Sequence, residues 1–384
     1  MIRNQSDESR GSFLKKIFIA AGAIASAGIF GKTLQKLLFN DKKEKNMSSS
    51  GITSVRPLNK FWVTKDPFLY CAYHVDMYPA GNSAGGPNVS LQGRRIGQDF
   101  EGKDGWRMYH GKSIPGFPNH PHRGFETVTV VQKGFVDHSD SLGSSGRYGM
   151  GDVQWMTAGK GVQHAEMFPL LNQDKDNTME VFQIWLNLPS RKKMTQPFYK
   201  MLWAEKIPVA THKDNHDKIS KIKLIAGTLD SQTALAPAPD SWASDPENHI
   251  AIWTIEMEPN AEWTLPSSAA GLNKTLYFYE GSSLQLNGTD ITVMNSADLI
   301  SESEIRIING SSPAKLLLLQ GKPIREPVVQ YGPFVMNTEE EIEQAFYDYR
   351  KTQFGGWPWN TSEPVHEKSK GRFSRLSNGE EERA

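Results

Sequence analysis

From residue 52 to about residue 319 the sequence is a succession of short β-type runs separated by Gly, Pro, Asn and Asp. Typical runs are FETVTVV (residues 125–131) and MEVFQIWLNL (residues 179–188). A parallel α/β protein would place a helical pattern of about 10 to 15 residues between successive strands. No such regular alternation is visible, and the pattern therefore predicts an all-β fold of antiparallel sandwiches or barrels.

The length of the chain indicates more than one domain. At about 150 residues per domain, 384 residues correspond to two domains with additional segments. A basic stretch with few β-branched runs, residues 192–217, is interpreted as a linker, and a second set of β-type runs follows at about 220–325. We predict a leader at 1–50, an N-terminal metal-binding domain at 51–200, a C-terminal domain without metal at 201–330, and a helix and tail at 331–384.

Composition excludes several classes of function. Lys and Arg (43) balance Asp and Glu (43), so the net charge gives no sign of a nucleic-acid partner. The single cysteine, Cys71, excludes an internal disulfide framework and a cysteine-based zinc cluster. Any metal site in this chain must therefore be built from His, Asp and Glu.

One long helix is predicted, at residues 338–351. Asn337 or Thr338 can cap it, and the glutamates at 339–341 favour its positive N-terminal end. Apolar side chains recur on one face of this segment. The polar tail beyond Gly355 is predicted to be an arm or a disordered end.

The N-terminal segment has the features of a targeting signal. Basic residues precede an uncharged stretch of about 15 residues, 17–31, which is shorter than the roughly 20 residues of a membrane-spanning helix. Residues 9–15 (SRGSFLK) resemble the twin-arginine export signal, with Gly11 in place of its second arginine. We expect periplasmic export or tethering to the inner membrane of a bacterium through residues 17–31. A cytoplasmic protein with an uncleaved anchor or surface helix is the alternative.

Candidate metal ligands are concentrated between residues 119 and 166. His120 and His122 are two residues apart, as are His164 and Glu166, and in a strand this spacing places both side chains on one face. Glu126 has the same parity as the first pair. Two such pairs on facing strands would provide three neutral nitrogens and one carboxylate, a set suited to a divalent transition metal with open coordination positions.

An isolated pair of histidines in a surface loop is usually solvated or hydrogen-bonded rather than bound to metal. Two same-face pairs in one predicted sheet favour a metal site instead. The other histidines show no comparable pairing, although His74, with Asp76 and Tyr78, is a second candidate for lining the pocket.

Residues 120–167, which contain HPHRGFETVTVV and GDVQWMTAGKGVQHAEM, resemble the signature of the pirins, members of the cupin superfamily. The resemblance extends to FQIWLNLP (182–189) and YGPFVMNTEEEIEQAF (331–346). It implies two tandem cupin barrels with a C-terminal helix, and a metal, typically Fe(II), in the first barrel only. The implied ligands are His120, His122, His164 and Glu166. The resemblance gives Glu126 a supporting position next to the ligands.

The resemblance implies a quercetin 2,3-dioxygenase-like reaction with dioxygen and an aromatic, flavonol-like substrate, although another divalent transition metal is also possible. Glu166 would then also accept the substrate's hydroxyl proton, and Arg123 would either steady an anionic oxygen or form a surface salt bridge. Four residues are candidates for pocket walls or for barrel core: Trp155, Met156, Phe182 and Trp185.

Three functions remain open. The first is the metal-dependent dioxygenase. The second is a non-enzymatic iron-binding redox sensor or protein-interaction module. The third is a metal-binding protein that acts on an unrelated small molecule.

Overall fold

The computed structural model describes residues 50–384, so the predicted leader lies outside the described residues. The strands of the N-terminal half are β1 Ile52–Pro57, β2 Phe61–Trp62, β3 Phe68–Tyr78, β4 Gly116–His122, β5 Phe125–Lys133, β6 Phe135–Asp140, β7 Ser145–Gly149, β8 Val153–Thr157, β9 Val162–Met167, β10 Asn177–Asn187 and β11 Phe198–Leu202.

The C-terminal half continues with a second series of strands and one α-helix. These elements are β12 Val209–Lys213, β13 Ile219–Ala226, β14 Thr228–Leu229, β15 Gln232–Thr233, β16 Ala251–Met257, β17 Glu262–Leu265, β18 Asn273–Glu280, β19 Ser283–Leu286, β20 Thr289–Thr292, β21 Asn295–Leu299, β22 Ile305–Asn309, β23 Ala314–Gly321, β24 Val329–Tyr331, β25 Phe334–Met336, helix α1 Glu339–Thr352, β26 Phe373–Arg375 and β27 Glu381–Arg383.

The strands form two antiparallel barrels with the same pairing order. The first barrel combines the sheets β11-β8-β5-β10-β3-β2 and β27-β26-β7-β6-β9-β4. The second combines β1-β21-β18-β23-β16-β13-β12 and β17-β22-β19-β20. Strands β3 to β10 of the first barrel therefore correspond in pairing to β16 to β23 of the second. This arrangement confirms the predicted all-β fold of two tandem cupin barrels with a C-terminal helix.

The two barrels share a continuous apolar interface. Trp62 and Phe182 of the first barrel lie in one buried cluster with Tyr277 and Leu317 of the second. The rings of Trp62 and Tyr277 stack with their centroids 5.2 Å apart, and the Tyr277 hydroxyl donates to the Val63 carbonyl at 2.9 Å. The barrels thus pack against each other through side chains on the outer faces of the sheets that contain β3 and β16.

Both ends of the described chain cross to the other barrel. Strand β1 lies within the range predicted for the first domain, but it pairs with β21 of the second barrel. Strand β26 pairs with β7 of the first barrel, and Phe373 in β26 is fully buried. Of the two alternatives predicted for the tail, an arm or a disordered end, the structure shows an ordered arm, because an edge strand of the first barrel supplies hydrogen-bonding partners that the tail sequence does not reveal.

The linker prediction was also wrong. Residues 192–217 contain β11, which pairs with β8 in the first barrel, and β12, which pairs with β13 in the second. Both are five-residue edge strands that carry charged or polar side chains, so their sequences show little of the apolar alternation that marks a buried strand. The predicted domain boundaries themselves stay a prediction.

Helix α1 returns to the first barrel. Thr338, one of the two predicted capping residues, is the N-cap, and it forms a capping box with Glu341. The Asp348 carboxylate accepts a hydrogen bond from Arg123 Nη1 at 2.8 Å. This ion pair holds the helix next to the end of β4. Within residues 50–384, no helix has both the length and the apolar character needed to cross a bilayer.

Candidate metal centre

Strands β4 and β9 bring three histidines together inside the first barrel. The two strands pair antiparallel with His120 opposite His164, and His122 follows two residues along β4. One ring nitrogen from each histidine lies within 4.8 Å of the other two. His122 is 2% exposed and His164 is 0% exposed. The spacing of two residues thus places these imidazoles in one cluster, as period-two strand geometry requires.

Backbone carbonyls fix the orientation of two of these rings. His120 Nδ1 donates to the Pro118 carbonyl at 2.8 Å, and His122 Nδ1 donates to the Pro333 carbonyl at 3.3 Å. In a neutral ring, a proton on Nδ1 leaves the lone pair of Nε2 available to a metal ion. Pro333 lies in the turn between β24 and β25, so the segment that precedes helix α1 also supports the cluster.

Burial keeps the three imidazoles neutral. It lowers the pKa of His120 to about 4 and holds the pKa values of His122 and His164 well below the ordinary range. The neighbouring imidazoles act in the same direction, because each additional positive charge in the cluster would repel the others. Neutral imidazole is the form that binds metal ions.

Glu166 lies beside the histidines and is held by three hydrogen-bond donors. Its Oε1 accepts from the Thr129 hydroxyl at 3.1 Å and from the Tyr148 hydroxyl at 3.3 Å. Its Oε2 accepts from Gln183 Nε2 at 3.2 Å and lies 3.9 Å from His164 Nε2. Burial raises the pKa of this carboxyl group above its ordinary value.

The residues of the cluster fit a metal ion. Both ring nitrogens of His164 are buried without a hydrogen-bond partner among the described residues. Buried polar atoms normally have a partner, and leaving one unsatisfied costs about 1–3 kcal/mol. A divalent ion bound by His120, His122 and His164 would provide the missing partner for one of these nitrogens. That Glu166 completes the ligand set stays a prediction.

The cluster opens into a small cavity of about 80 Å³. Apolar and aromatic side chains from β3 and β10 form much of its wall, and His120, His122 and Glu166 lie at its polar end. The residues that complete the lining are Tyr70, Ala72, His74, Phe117, Thr129, Phe168, Val181, Gln183 and Trp185.

The second predicted cluster lies partly at this cavity. His74 lines it, and its Nδ1 is 3.0 Å from the Tyr109 hydroxyl, which donates to Asp76 at 2.6 Å. Burial lowers the pKa of His74 to about 3. Tyr78 donates instead to the Arg107 carbonyl at 2.8 Å. His74 therefore belongs to the cavity wall. Asp76 does not line the cavity, but it accepts a hydrogen bond from Tyr109, which contacts His74.

Glu126 points away from the cavity, contrary to its predicted supporting position. Its carboxylate accepts from Trp155 Nε1, from the Thr157 hydroxyl at 2.7 Å and from the Ser241 hydroxyl at 2.5 Å. Gly124, with a positive φ of 88°, separates β4 from β5, and these strands belong to different sheets. Because the two strands lie in different sheets, an even number of residues between His122 and Glu126 does not place their side chains on the same face. This explains the error.

Of the other candidates, only Trp185 lines the cavity. Arg123 donates to the Lys160 carbonyl and to Asp348, so it forms a salt bridge with helix α1. Trp155 and Phe182 belong to the core between the barrels, and Met156 packs with Ala158 and Val162. These three are barrel core rather than pocket wall.

Sequence reasoning missed the three groups that bind the Glu166 carboxylate: Thr129, Tyr148 and Gln183. A signal was present for Gln183, because it is the only polar residue in the run VFQIWL. A polar side chain in a buried strand needs a partner, and that partner is Glu166. Tyr148 carried no such signal, because a tyrosine in a strand is common in cores.

Together, the two barrels and the histidine cluster define a bicupin whose first barrel can hold a metal ion. The family model described as Pirin matches residues 97–186, and the model described as Pirin C-terminal cupin domain matches residues 252–355. Pirin-1 of Arabidopsis thaliana is 38% identical over 247 residues, which cover 62% of this chain and 78% of that protein. The chain therefore belongs to the pirin family.

Other relatives carry enzyme names. A Pseudomonas aeruginosa protein named "Putative quercetin 2,3-dioxygenase" is 38% identical over 244 residues, covering 62% of this chain and 79% of that protein. A crystal structure of quercetin 2,3-dioxygenase from Acinetobacter baumannii aligns with a TM-score of 0.62 at 28% identity. That alignment covers 79% of this chain and 98% of the other.

Proposed function

We propose that this pirin is an Fe(II)-dependent dioxygenase of the quercetin 2,3-dioxygenase type that acts on flavonol-like substrates. The observation that carries the proposal is a buried cluster of three neutral imidazoles, with Glu166 beside it, at the polar end of an aromatic cavity. The names of the Pseudomonas aeruginosa and Acinetobacter baumannii relatives support the same reaction.

In this proposal His120, His122, His164 and Glu166 hold the ion. Fe(II) in such a set leaves coordination positions for a chelating enol or catechol and for dioxygen, and so permits oxygen insertion. The Nδ1 hydrogen bonds of His120 and His122 to backbone carbonyls keep both rings oriented before the substrate enters.

Glu166 is the proposed acceptor of the substrate's hydroxyl proton. Thr129 and Tyr148 both donate to Oε1, whereas Oε2 accepts only from Gln183 and is the oxygen nearer to His164. These donors restrict rotation of the carboxylate, so that Oε2 stays at the polar end of the cavity. A general base held in this way typically contributes about 10²- to 10⁴-fold to the rate.

The size of the cavity restricts how a substrate binds. Its volume of about 80 Å³ is well below the roughly 300–1,000 Å³ of sites that enclose a drug-sized ligand. A flavonol would therefore insert only its hydroxyl-ketone edge into this cavity, and its other two rings would stay outside. Small chelating enols would fit completely.

Oxygen uptake tests the proposal. Iron-loaded protein should consume oxygen when quercetin is added, and Glu166→Gln should lower kcat by about 100-fold or more. Glu126→Gln is the matched control, because Glu126 is also a buried glutamate with three donors in the same barrel but does not line the cavity. Absence of quercetin-dependent uptake by the iron-loaded wild-type protein would refute the proposed reaction.

The second candidate is a non-enzymatic iron-binding redox sensor or protein-interaction module. The small volume of the metal cavity favours this candidate, because a redox sensor does not have to enclose a flavonol. Under this alternative the protein would bind iron and cycle between oxidation states without consuming oxygen in the presence of any flavonol tested.

We also propose that the protein is exported or tethered on the outer side of the bacterial inner membrane. The support is the sequence of residues 1–49, in which basic residues precede a short apolar stretch. Fractionation of cells that produce the whole chain tests this. Full-length protein confined to the soluble cytoplasm would refute it.

A further inference from the structure

The second barrel contains a cavity much larger than the metal cavity of the first barrel. Its volume is about 590 Å³, and it lies at one end of the barrel between β16, β18 and β23 and the loops beside them. Trp253, Leu235 and Ile250 give it apolar walls, and Lys274 and Gln320 supply polar groups. A cavity of this size and composition falls in the range of small-molecule sites.

This cavity opens at the position that corresponds to the metal centre of the first barrel. In the first barrel, Tyr70, Trp185 and Thr127 lie side by side on β3, β10 and β5 at a fixed distance from a bulge in β5, and Tyr70 and Trp185 line the metal cavity. In the second barrel, Ala251, Gln320 and Lys274 lie side by side on the corresponding strands β16, β23 and β18, and all three line the larger cavity. Lys274 lies at the same distance from the corresponding bulge in β18, and it therefore takes the place of Thr127.

Lys274 is a buried cation without an anionic partner. The residue is 2% exposed, and its Nζ donates to the Pro266 carbonyl at 2.7 Å. Among residues 50–384, no carboxylate lies within 4.0 Å of this nitrogen. An ammonium group has three donors and is strongly destabilised in an apolar interior unless it is paired. Burial accordingly lowers the pKa of Lys274 to about 8.

We infer that the cavity of the second barrel binds a small organic carboxylate, with its anionic end at Lys274 Nζ and its apolar body along Trp253 and Leu235. The carboxylate would be the missing counter-ion. It would also accept hydrogen bonds from the Lys274 N–H groups that do not donate to the Pro266 carbonyl. This site is separate from the metal centre and does not depend on the proposed dioxygenase activity.

The neighbouring groups are compatible with such a ligand. The Ser268 hydroxyl donates to Gln320 Oε1 at 2.9 Å, and Gln320 Nε2 donates to the His249 carbonyl at 3.2 Å, so the amide is held in place. Asp245 is the acidic residue of the lining, but it lies at the exposed rim, where its Oδ1 accepts from the Glu247 amide. The negative charge therefore lies at the mouth and the positive charge at the buried end.

Calorimetric titration of the whole metal-loaded protein with benzoate tests the inference. We expect one benzoate per chain at this site, and Lys274→Met should weaken its binding about tenfold or more, because a charge-assisted hydrogen bond is lost. Lys221→Met is the matched control, since Lys221 is an exposed lysine on β13 of the same barrel. Benzamide, which lacks the charge, should not compete.

A second variant blocks the cavity without altering its charge. Ala269 lies exposed at the mouth, so Ala269→Trp should fold normally and should also abolish benzoate binding. Benzoate held at the metal centre would persist in both variants. Equal binding by the wild-type protein, Lys274→Met and Ala269→Trp would overturn the inference, as would no binding by the wild-type protein at about 10 mM benzoate.

Discussion

The two barrels share one pairing scheme but differ at the strand pair that holds the metal cluster. In the first barrel, β4 and β9 place His120 opposite His164. In the second barrel, the corresponding strands β17 and β22 place Trp263 opposite Ile307, and both side chains are buried in the apolar core. The same backbone arrangement thus supports a polar cluster in one barrel and a closed core in the other, depending on a few inward-facing positions.

The two barrels also differ in the buried polar groups that destabilise them. The first barrel buries imidazole nitrogens that lack partners, which destabilises the metal-free protein. In the second barrel these positions are apolar, and the buried charge lies instead on β18, at Lys274. Both the histidine cluster of the first barrel and Lys274 of the second lie beside a cavity.

Replacing His164 with Leu should make the first barrel resemble the second. We expect metal affinity to fall by about 100-fold or more, because a proposed direct ligand is lost and even supporting residues contribute about 10- to 100-fold. The metal-free protein should become more stable by about 1–3 kcal/mol, because two unsatisfied buried nitrogens are removed. Metal titration and denaturant unfolding measure the two effects.

The matched control is Ile307→Val at the corresponding strand pair of the second barrel. It should leave metal affinity unchanged and lower the free energy of unfolding by about 1 kcal/mol, through loss of a buried methylene group. Loss of stability in metal-free His164→Leu would show that the unpartnered nitrogens do not destabilise the first barrel.

Replacing Lys274 with Met should stabilise the second barrel in a pH-dependent way. The folded-state pKa of about 8 lies below the ordinary 10.5, so the protonated lysine destabilises the native state below pH 8 by about 3 kcal/mol. That penalty disappears as the pH rises from 8 to 10.5. The stability difference between variant and wild type should therefore be largest at pH 7 and approach zero near pH 10.5.

Denaturant unfolding at a series of pH values, without added carboxylates, measures this difference. Lys221→Met should show no such trend, because Lys221 is exposed on β13. If the free energy of unfolding of Lys274→Met differed from that of the wild-type protein by a constant amount across the pH range, Lys274 would not be an unpaired buried charge.

Replacing Glu126 with Gln should have a smaller effect at the junction of the barrels. Burial raises the pKa of Glu126 from 4.5 to about 7, so wild-type stability is lost as the pH rises through this interval. The neutral amide avoids the buried charge but accepts fewer of the hydrogen bonds from Trp155, Thr157 and Ser241. We expect the variant to be more stable by about 1 kcal/mol at pH 8 and not below pH 4.5. Thermal unfolding at both pH values would detect the change, and equal shifts would contradict the assigned pKa.

Much of the fold could be predicted from the sequence. The succession of short β-type runs indicated antiparallel barrels, and the capping residues together with the apolar stripe located helix α1. The spacing of His120, His122 and His164 also brought these residues to one face, because a strand repeats every two residues. These features depend on neighbours within a single element or within one pair of strands.

The features that could not be predicted depend on contacts between distant segments. Strands β1 and β26 are short edge strands, and nothing in their sequences identifies the opposite barrel as their partner. The direction of Glu126 depends on which sheet β5 joins, and the role of Lys274 depends on the cavity formed around it. A lysine at the start of a strand usually lies in solvent, so its burial has no local signal.

The central claim is that the first barrel alone holds one metal ion through its histidine cluster. Elemental analysis of the whole chain, reconstituted with Fe(II) and freed of excess metal, tests it most directly when wild type and His122→Ala are compared. We predict one equivalent of iron per chain in the wild-type protein and little in the variant. Two equivalents in the wild-type protein, or full iron content in His122→Ala, would contradict a single metal site held by these histidines.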